Sequence, residues 1–315
     1  MFTRPPNGDN SLLEHVTWWD FVGQHRNGPE LTPLRDSMLN YVWQLGFKSR
    51  FAEPVVLQED GVNVVDESKL GVGSKARFGE LLISQVEEEE LVYVQPRHGW
   101  AGISLLALAQ MYGKKLTLFM PASGKSSDTQ RLVIELGAEP RFIRIAAMPV
   151  LNKYAQEYAV KKGAFFIPLG LRHPLVTANA VAQIYEFMRE YPPGEMWCAT
   201  STGVLSRSLQ IALMPNTWMV HSVAVARNLH AGELGRSTFT SYDRAFDQPA
   251  RKLPRTFQSA HNYDAKAFEI AVKHQSMNRP TWFWNVAGNV PKPMLQPEDV
   301  NSAREWGDLR DFFAA

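Results

Sequence analysis

The stretch Gly102-Ile103-Ser104-Leu105-Leu106-Ala107-Leu108-Ala109-Gln110-Met111-Tyr112-Gly113-Lys114-Lys115-Leu116-Thr117-Leu118-Phe119-Met120-Pro121 decides the fold. It reads as a helix over 103–111 followed by a strand over 116–120, and Leu91-Val92-Tyr93-Val94 before it reads as a short buried strand. The alternation continues downstream. Helices are expected over 127–136, 150–161, 176–190, 204–213 and 265–273, with strands over 141–145, 164–167, 196–199, 220–226 and 282–286. Upstream, 54–57 and 62–65 read as strands around the turn Glu59-Asp60-Gly61, and a helix is expected over 77–85. Elements of these lengths in alternation imply an α/β protein with parallel sheets and helices on both faces. Ligands of such sheets sit beyond the carboxyl ends of the strands, so loops 95–102 and 199–203 are where chemistry is expected.

The 315 residues suffice for one large or two ordinary domains, and 45% hydrophobic with 21% charged residues is the balance of a globular protein. A net charge of +1 argues against a general polyanion binder. Cys198 is the only cysteine, so the chain has no internal disulfide, which fits a cytoplasmic location. The first residues, Met1-Phe2-Thr3-Arg4-Pro5-Pro6-Asn7-Gly8, lack the apolar core of a signal peptide, and no apolar run approaches the roughly 20 residues of a membrane span, so no membrane partner is expected. Residues 1–27 read as an arm that Trp18, Trp19 and Phe21 dock on the body; Glu87-Glu88-Glu89-Glu90 reads as a solvated helix end. The polar stretch 228–254 reads as a surface connection or a substrate loop.

Three segments carry chemistry. Gly71-Val72-Gly73-Ser74-Lys75-Ala76-Arg77 exposes one lysine in a small-residue loop. Arg97-His98-Gly99-Trp100-Ala101-Gly102 opens a helix, where backbone N–H groups and the helix dipole receive an anion. Ala199-Thr200-Ser201-Thr202-Gly203 is a hydroxyl-rich turn before another helix. A flexible amine, an anion-receiving helix start and a hydroxyl-rich turn are what a phosphorylated aldehyde cofactor requires: the lysine forms a Schiff base and the turn holds the phosphate. Each segment also has a plain reading, as a solvated lysine, a solvent-facing helix start and an ordinary Ser/Thr turn. There is no Cys/His metal spacing, P-loop or serine nucleophile elbow, so no metal is expected.

With Thr32-Pro33-Leu34 and Leu136-Gly137-Ala138-Glu139, these segments resemble the tryptophan synthase β superfamily of pyridoxal-phosphate (PLP) enzymes, fold type II, which includes cysteine synthase, threonine synthase, cysteine desulfhydrase and aminocyclopropane-carboxylate deaminase. The likeness is scattered over 32–288 and is most specific over 102–121. It implies two parallel-sheet α/β domains with pyridoxal 5′-phosphate between them. The larger, PLP-binding domain would be 1–80 plus 185–315, and the smaller 81–184. Lys75 would be the catalytic Schiff-base lysine, and Thr200, Ser201, Thr202 and Gly203 the phosphate cradle. Arg97, His98, Gly99, Trp100 and Ala101 would bind the substrate, with Trp100 standing where relatives carry an asparagine.

In Asn262-Tyr263-Asp264-Ala265-Lys266-Ala267, where relatives have Ser-Gly-Lys-Ala or Thr-Gly-Lys-Ala, Asp264 falls at the partner of the pyridine nitrogen; its other reading is a cap for the helix over 265–273. Lys266 matches a family lysine other than the Schiff-base lysine. Arg207, one turn into the helix over 204–213, reads as facing solvent; its other reading is an approach to the phosphate. The activity implied is a lyase that cleaves a bond at Cα or Cβ of an amino acid through a lysine Schiff base and an external aldimine. Two further readings stand: a decarboxylase of an amino acid, free or joined to a nucleotide or nucleic acid, and a non-catalytic PLP-binding descendant. Members of the family are commonly homodimers.

Overall fold

The computed structural model describes residues 31–122, 126–144, 147–226, 229 and 234–296. The described residues divide into two compact units, one within 31–85 and 170–289, the other within 86–169 and 290–296.

In order, the elements are α1 (Leu31–Gln44), β1 (Val55–Glu59), β2 (Val62–Asp66), α2 (Ser74–Gln85), β3 (Glu90–Val94), α3 (Ala101–Met111), β4 (Lys115–Pro121), α4 (Asp128–Glu135), β5 (Glu139–Ile143), α5 (Met148–Lys162), β6 (Phe165–Ile167), α6 (Pro174–Met188), β7 (Glu195–Thr200), α7 (Val204–Leu213), β8 (Met219–Ala224), β9 (Thr238–Ser241), α8 (Asp264–Lys273) and β10 (Thr281–Asn285).

The larger unit holds a six-stranded sheet in the order β1-β2-β10-β7-β8-β9. β1 and β2 form an antiparallel hairpin around the Glu59-Asp60-Gly61 turn, and every other neighbouring pair is parallel. One face packs α8, through Ala267, Phe268 and Ala271, on Val62, Val64, Trp197 and Phe283. Trp284, on the other face, lies against Phe78 of α2 and Phe187 of α6. The alternation of a strand therefore gives each layer of helices its own aromatic anchor. Because β7 is central, the loop after it opens between two neighbours rather than at an edge.

The smaller unit holds a wholly parallel sheet in the order β5-β4-β3-β6. α5 covers it with Leu151, Ala155, Tyr158 and Ala159, which pack on Val92, Val94 and Phe119.

Several expectations are corrected. The helix after Lys75 begins at Ser74, so Lys75 lies in its first turn and not in a loop before it. The helix over 174–188 belongs to the larger unit, because it packs against α1, α2 and α7. Glu90 is no solvated helix end: it opens β3, and its carboxylate accepts from Thr117 Oγ1 at 2.6 Å and Tyr158 Oη at 2.9 Å. The polar stretch 228–254 contributes the edge strand β9. The arm over 1–27 lies outside the described residues. Among the described residues, no helix is long and apolar enough to cross a membrane.

Candidate active site

Lys75 lines a cavity in the larger unit, beyond the carboxyl ends of β7 and β10. The same cavity is lined by Thr200, Ser201, Thr202 and Gly203, so the amine and the hydroxyl turn, 125 residues apart in sequence order, share one space. Lys75 keeps some exposure at the cavity wall, while burial of its amine pulls its pKa below the usual lysine range; the Asp264 carboxylate opposes that shift. A lysine of this kind is closer to a free amine, and hence to a nucleophile, than a solvated one.

The turn is built by β7 ending at Thr200 and α7 starting at Val204. Gly203 is the N-cap, at φ 78°, a left-handed conformation that costs glycine little. No side chain caps α7, which leaves its first N–H groups for an anion in the cavity. Thr202 packs against Gly170. A Cβ placed on Gly170 would come within 2.3 Å of Thr202 Oγ1, and Gly170 itself sits at φ 73°. The cradle is thus shaped from behind by a second segment of backbone, Gly170-Leu171, which also lines the cavity.

Asp264 is fully buried at the start of α8. It does not cap the helix: Tyr263 holds the N-cap position, and both Asp264 oxygens lack a hydrogen-bond partner. Burial pushes its carboxyl well above the usual carboxylate range. Lys75 pulls it back, Asp66 pushes it further up, and the N–H groups of Val286 and Ala287 favour the charged form without reaching hydrogen-bond geometry. An acceptor buried with no partner is costly and rare. Tyr263 and Phe78 complete the cavity wall, Tyr263 through a phenol that donates to Ala199 O at 3.4 Å.

Three further residues near the site are buried. Lys266 is buried, donates to Ala245 O at 2.8 Å and lies over the Tyr242 and Phe246 rings. Arg207 is buried at 2% exposure, not facing solvent as its sequence position suggests. Cys198, on β7 beneath the turn, is fully buried and its thiol is pushed up to about 12 by desolvation.

The loop over 97–101 belongs to the smaller unit. Gln95 spans it, donating to Gly99 O at 2.9 Å and accepting from Gly102 N at 2.9 Å, and Ser127 Oγ donates to Arg97 O. Trp100 is the N-cap of α3, its indole N–H buried without an acceptor, and Ala101 is the first helical residue. This is an ordered helix start of the kind that binds an anion.

The residues fit a phosphorylated aldehyde: a desolvated amine, an uncapped helix start with hydroxyls for the phosphate, and a buried carboxylate awaiting a donor. The sequence matches no protein-family profile and no curated protein. The fold does match solved structures. An ACC deaminase homologue aligns at TM-score 0.64 with 17% identity over 79% of this chain and 94% of its own. A threonine deaminase from T.th. aligns at 0.59 with 16% identity over 83% and 98%. Diaminopropionate ammonia lyase of Escherichia coli, in complex with an aminoacrylate-PLP azomethine intermediate, aligns at 0.59 with 14% identity over 88% and 92%. The chain therefore has the fold of the fold type II PLP enzymes.

Proposed function

We propose that this protein binds pyridoxal 5′-phosphate on Lys75 and acts as a lyase on an amino-acid substrate. One observation carries the reading: Lys75, the uncapped start of α7 and its hydroxyl turn line a single cavity, with an unpartnered carboxylate buried beside the amine. Three structures of like fold are described as deaminases or an ammonia lyase, one of them holding a PLP intermediate, which supports the same class of chemistry here.

When bound, the cofactor supplies an aldehyde for covalent attachment and an electron-withdrawing ring. Lys75 would hold the cofactor through its amine and would serve as the base that takes and returns a proton at the substrate Cα. Thr200, Ser201, Thr202 and Gly203 would hold the phosphate with hydroxyls and N–H groups. Asp264 would hold the cofactor by accepting from a protonated ring nitrogen, which would give its buried oxygens a donor. Arg97, His98, Gly99, Trp100 and Ala101 offer a helix start to the substrate carboxylate. Asp264 favours reactions that put the most negative charge on the ring, decarboxylation among them, where a hydroxyl partner would not.

The test is direct. Purified protein supplied with PLP should gain a visible absorption band. Borohydride reduction and peptide mapping should then place the pyridoxyl group on Lys75, and Lys75→Ala should lose both. A label on Lys266, or no label, would overturn the assignment. Uptake of PLP without turnover of any amino acid tested would leave a binding protein in place of an enzyme.

A further inference from the structure

The first turn of α2 is held by a buried polar network that takes no part in the chemistry described above. We infer that the Arg77–Glu67 pair is a positioning device for the Lys75 amine, an inference that rests on the role proposed for Lys75. Arg77 follows Lys75 by two residues, so the two side chains leave the helix in different directions. Lys75 points to the cavity, and Arg77 turns into the protein.

There its guanidinium forks onto Glu67, with Nε to Oε2 at 2.9 Å and Nη2 to Oε1 at 2.8 Å, and its Nη1 donates to Gln183 Oε1 at 2.8 Å. The Glu67 side chain is 0% exposed and that of Arg77 3%. Trp284 Nε1 donates to the same carboxylate at 2.8 Å, and Glu67 N donates to Asn285 O at 3.0 Å. From α6, Asn179 Nδ2 donates to the carbonyls of Arg77 and Phe78 at 3.1 and 2.9 Å, and Gln183 Nε2 donates to the Arg77 carbonyl at 3.2 Å. Ser74 N, at the other side of Lys75, donates to Val286 O at 2.9 Å. Backbone and side chain of the turn are thus tied to the end of β2, to β10 with the residue after it, and to α6.

A buried ion pair adds little net stability compared with apolar side chains of the same volume, so stability alone is a weak reason for this one. Its geometry supplies conformational definition instead. A forked pair with directed bonds on both partners permits one placement of the turn, whereas apolar packing tolerates sliding. Glu67 also neutralises the guanidinium, which leaves the Asp264 carboxylate as the opposing charge that acts on Lys75. An amine that must meet an aldehyde held at a fixed phosphate site benefits from both effects.

The experiment compares wild type with Arg77→Lys, which keeps the charge and removes the fork. Two quantities are read: the pH midpoint for acetylation of Lys75 by acetic anhydride in the cofactor-free protein, followed by peptide mass spectrometry, and the rate at which added PLP gains its visible band. With a wild-type circular dichroism spectrum, Arg77→Lys should shift the Lys75 midpoint by at least about half a pH unit and slow PLP capture by about tenfold or more. A folded Arg77→Lys protein with the wild-type midpoint and capture rate would overturn the inference. If that variant does not fold, Gln183→Met at the half-buried end of the network decides: a midpoint shifted by at least about half a pH unit with slower PLP capture is expected, and a wild-type midpoint and capture rate would overturn the inference. Should wild type take up no PLP on Lys75, the proposed function fails, and the acetylation midpoint still decides the positioning role.

Discussion

Lys75 and Asp264 act on each other inside the larger unit, and burial works against the charge of both. Desolvation pulls the lysine down and pushes the aspartate up, while their mutual attraction opposes each shift. Burial makes the pair costly, and a cofactor with a protonated nitrogen would relieve that cost.

The first prediction follows from the sign of the Asp264 shift. Its folded pKa lies above the unfolded value, so its contribution to stability is fully present below the ordinary carboxylate range and is lost as pH rises through the folded value. Asp264→Asn removes that loss. In the cofactor-free protein it should raise Tm at pH 7 by a few degrees, on the order of 2–4 °C per kcal/mol for a unit of this size. The gain should vanish in melts below about pH 3. Equal gains at both pH values would show that the gain is not linked to ionisation of Asp264 and would contradict its raised pKa.

Asp264→Ser tests the same residue in the reaction. PLP should still bind, because Lys75 and the α7 start are untouched. Turnover of whichever amino acid wild type consumes should fall tenfold or more, since a charge-assisted hydrogen bond is worth roughly 1.5–3 kcal/mol and about 1.4 kcal/mol is a factor of ten. Unchanged turnover at saturating PLP would remove Asp264 from the chemistry.

Gly170→Ala should damage the cradle from behind. The new methyl would press on Thr202, and alanine at φ 73° costs about 1–2 kcal/mol. We expect a lower Tm and PLP affinity weakened by about tenfold, read by equilibrium dialysis. Wild-type affinity in a folded variant would mean the phosphate does not rest on Thr202.

Lys266→Met should separate the roles of Lys75 and Lys266. Borohydride labelling of Lys75 should be unaffected, while loss of the bond to Ala245 O should lower Tm. Loss of the label together with an unchanged Tm would exchange the roles of Lys75 and Lys266.

His173, between the cavity-lining Leu171 and Val176, gives a second pH signature. Its Nδ1 accepts from Leu175 N at 3.2 Å as the N-cap of α6, and burial lowers its pKa to about 4. Its folded value is depressed, so the stability it adds is present above the unfolded pKa of 6.5 and is lost as pH falls toward about 4. His173→Asn keeps an N-capping acceptor that does not titrate. The acid side of its Tm profile should therefore be flatter between those pH values, and a parallel profile would contradict the cap.

Most of the fold was legible because helix and strand periods are local. The strands over 91–94, 116–120 and 282–286 and the helices between them are found within a few residues of their expected ends. The helix α1 went unread, since its buried residues Leu31, Met38, Leu39 and Val42 are spaced among charged and polar ones and Pro33 sits in its first turn. Strand β9, Thr-Phe-Thr-Ser, was missed for the reason edge strands often are: it has one neighbour and shows little apolar alternation. At the site, Lys75 and 199–203 stood out by composition. Gly170-Leu171 did not, because its role is a contact with Thr202 that no local pattern encodes. The burial of Arg207 is not legible in the sequence, because burial of a charged residue depends on partners remote in sequence.

Cys198, sealed beneath the hydroxyl turn with its thiol held protonated, has a practical consequence. The folded protein should behave toward maleimides as though it had no cysteine. A cysteine introduced at Val160, which is 85% exposed on α5 of the smaller unit, would then be a unique attachment point for a fluorophore. One substitution makes the chain a spectroscopic reporter, and the native thiol need not be removed from under the turn that would hold the phosphate.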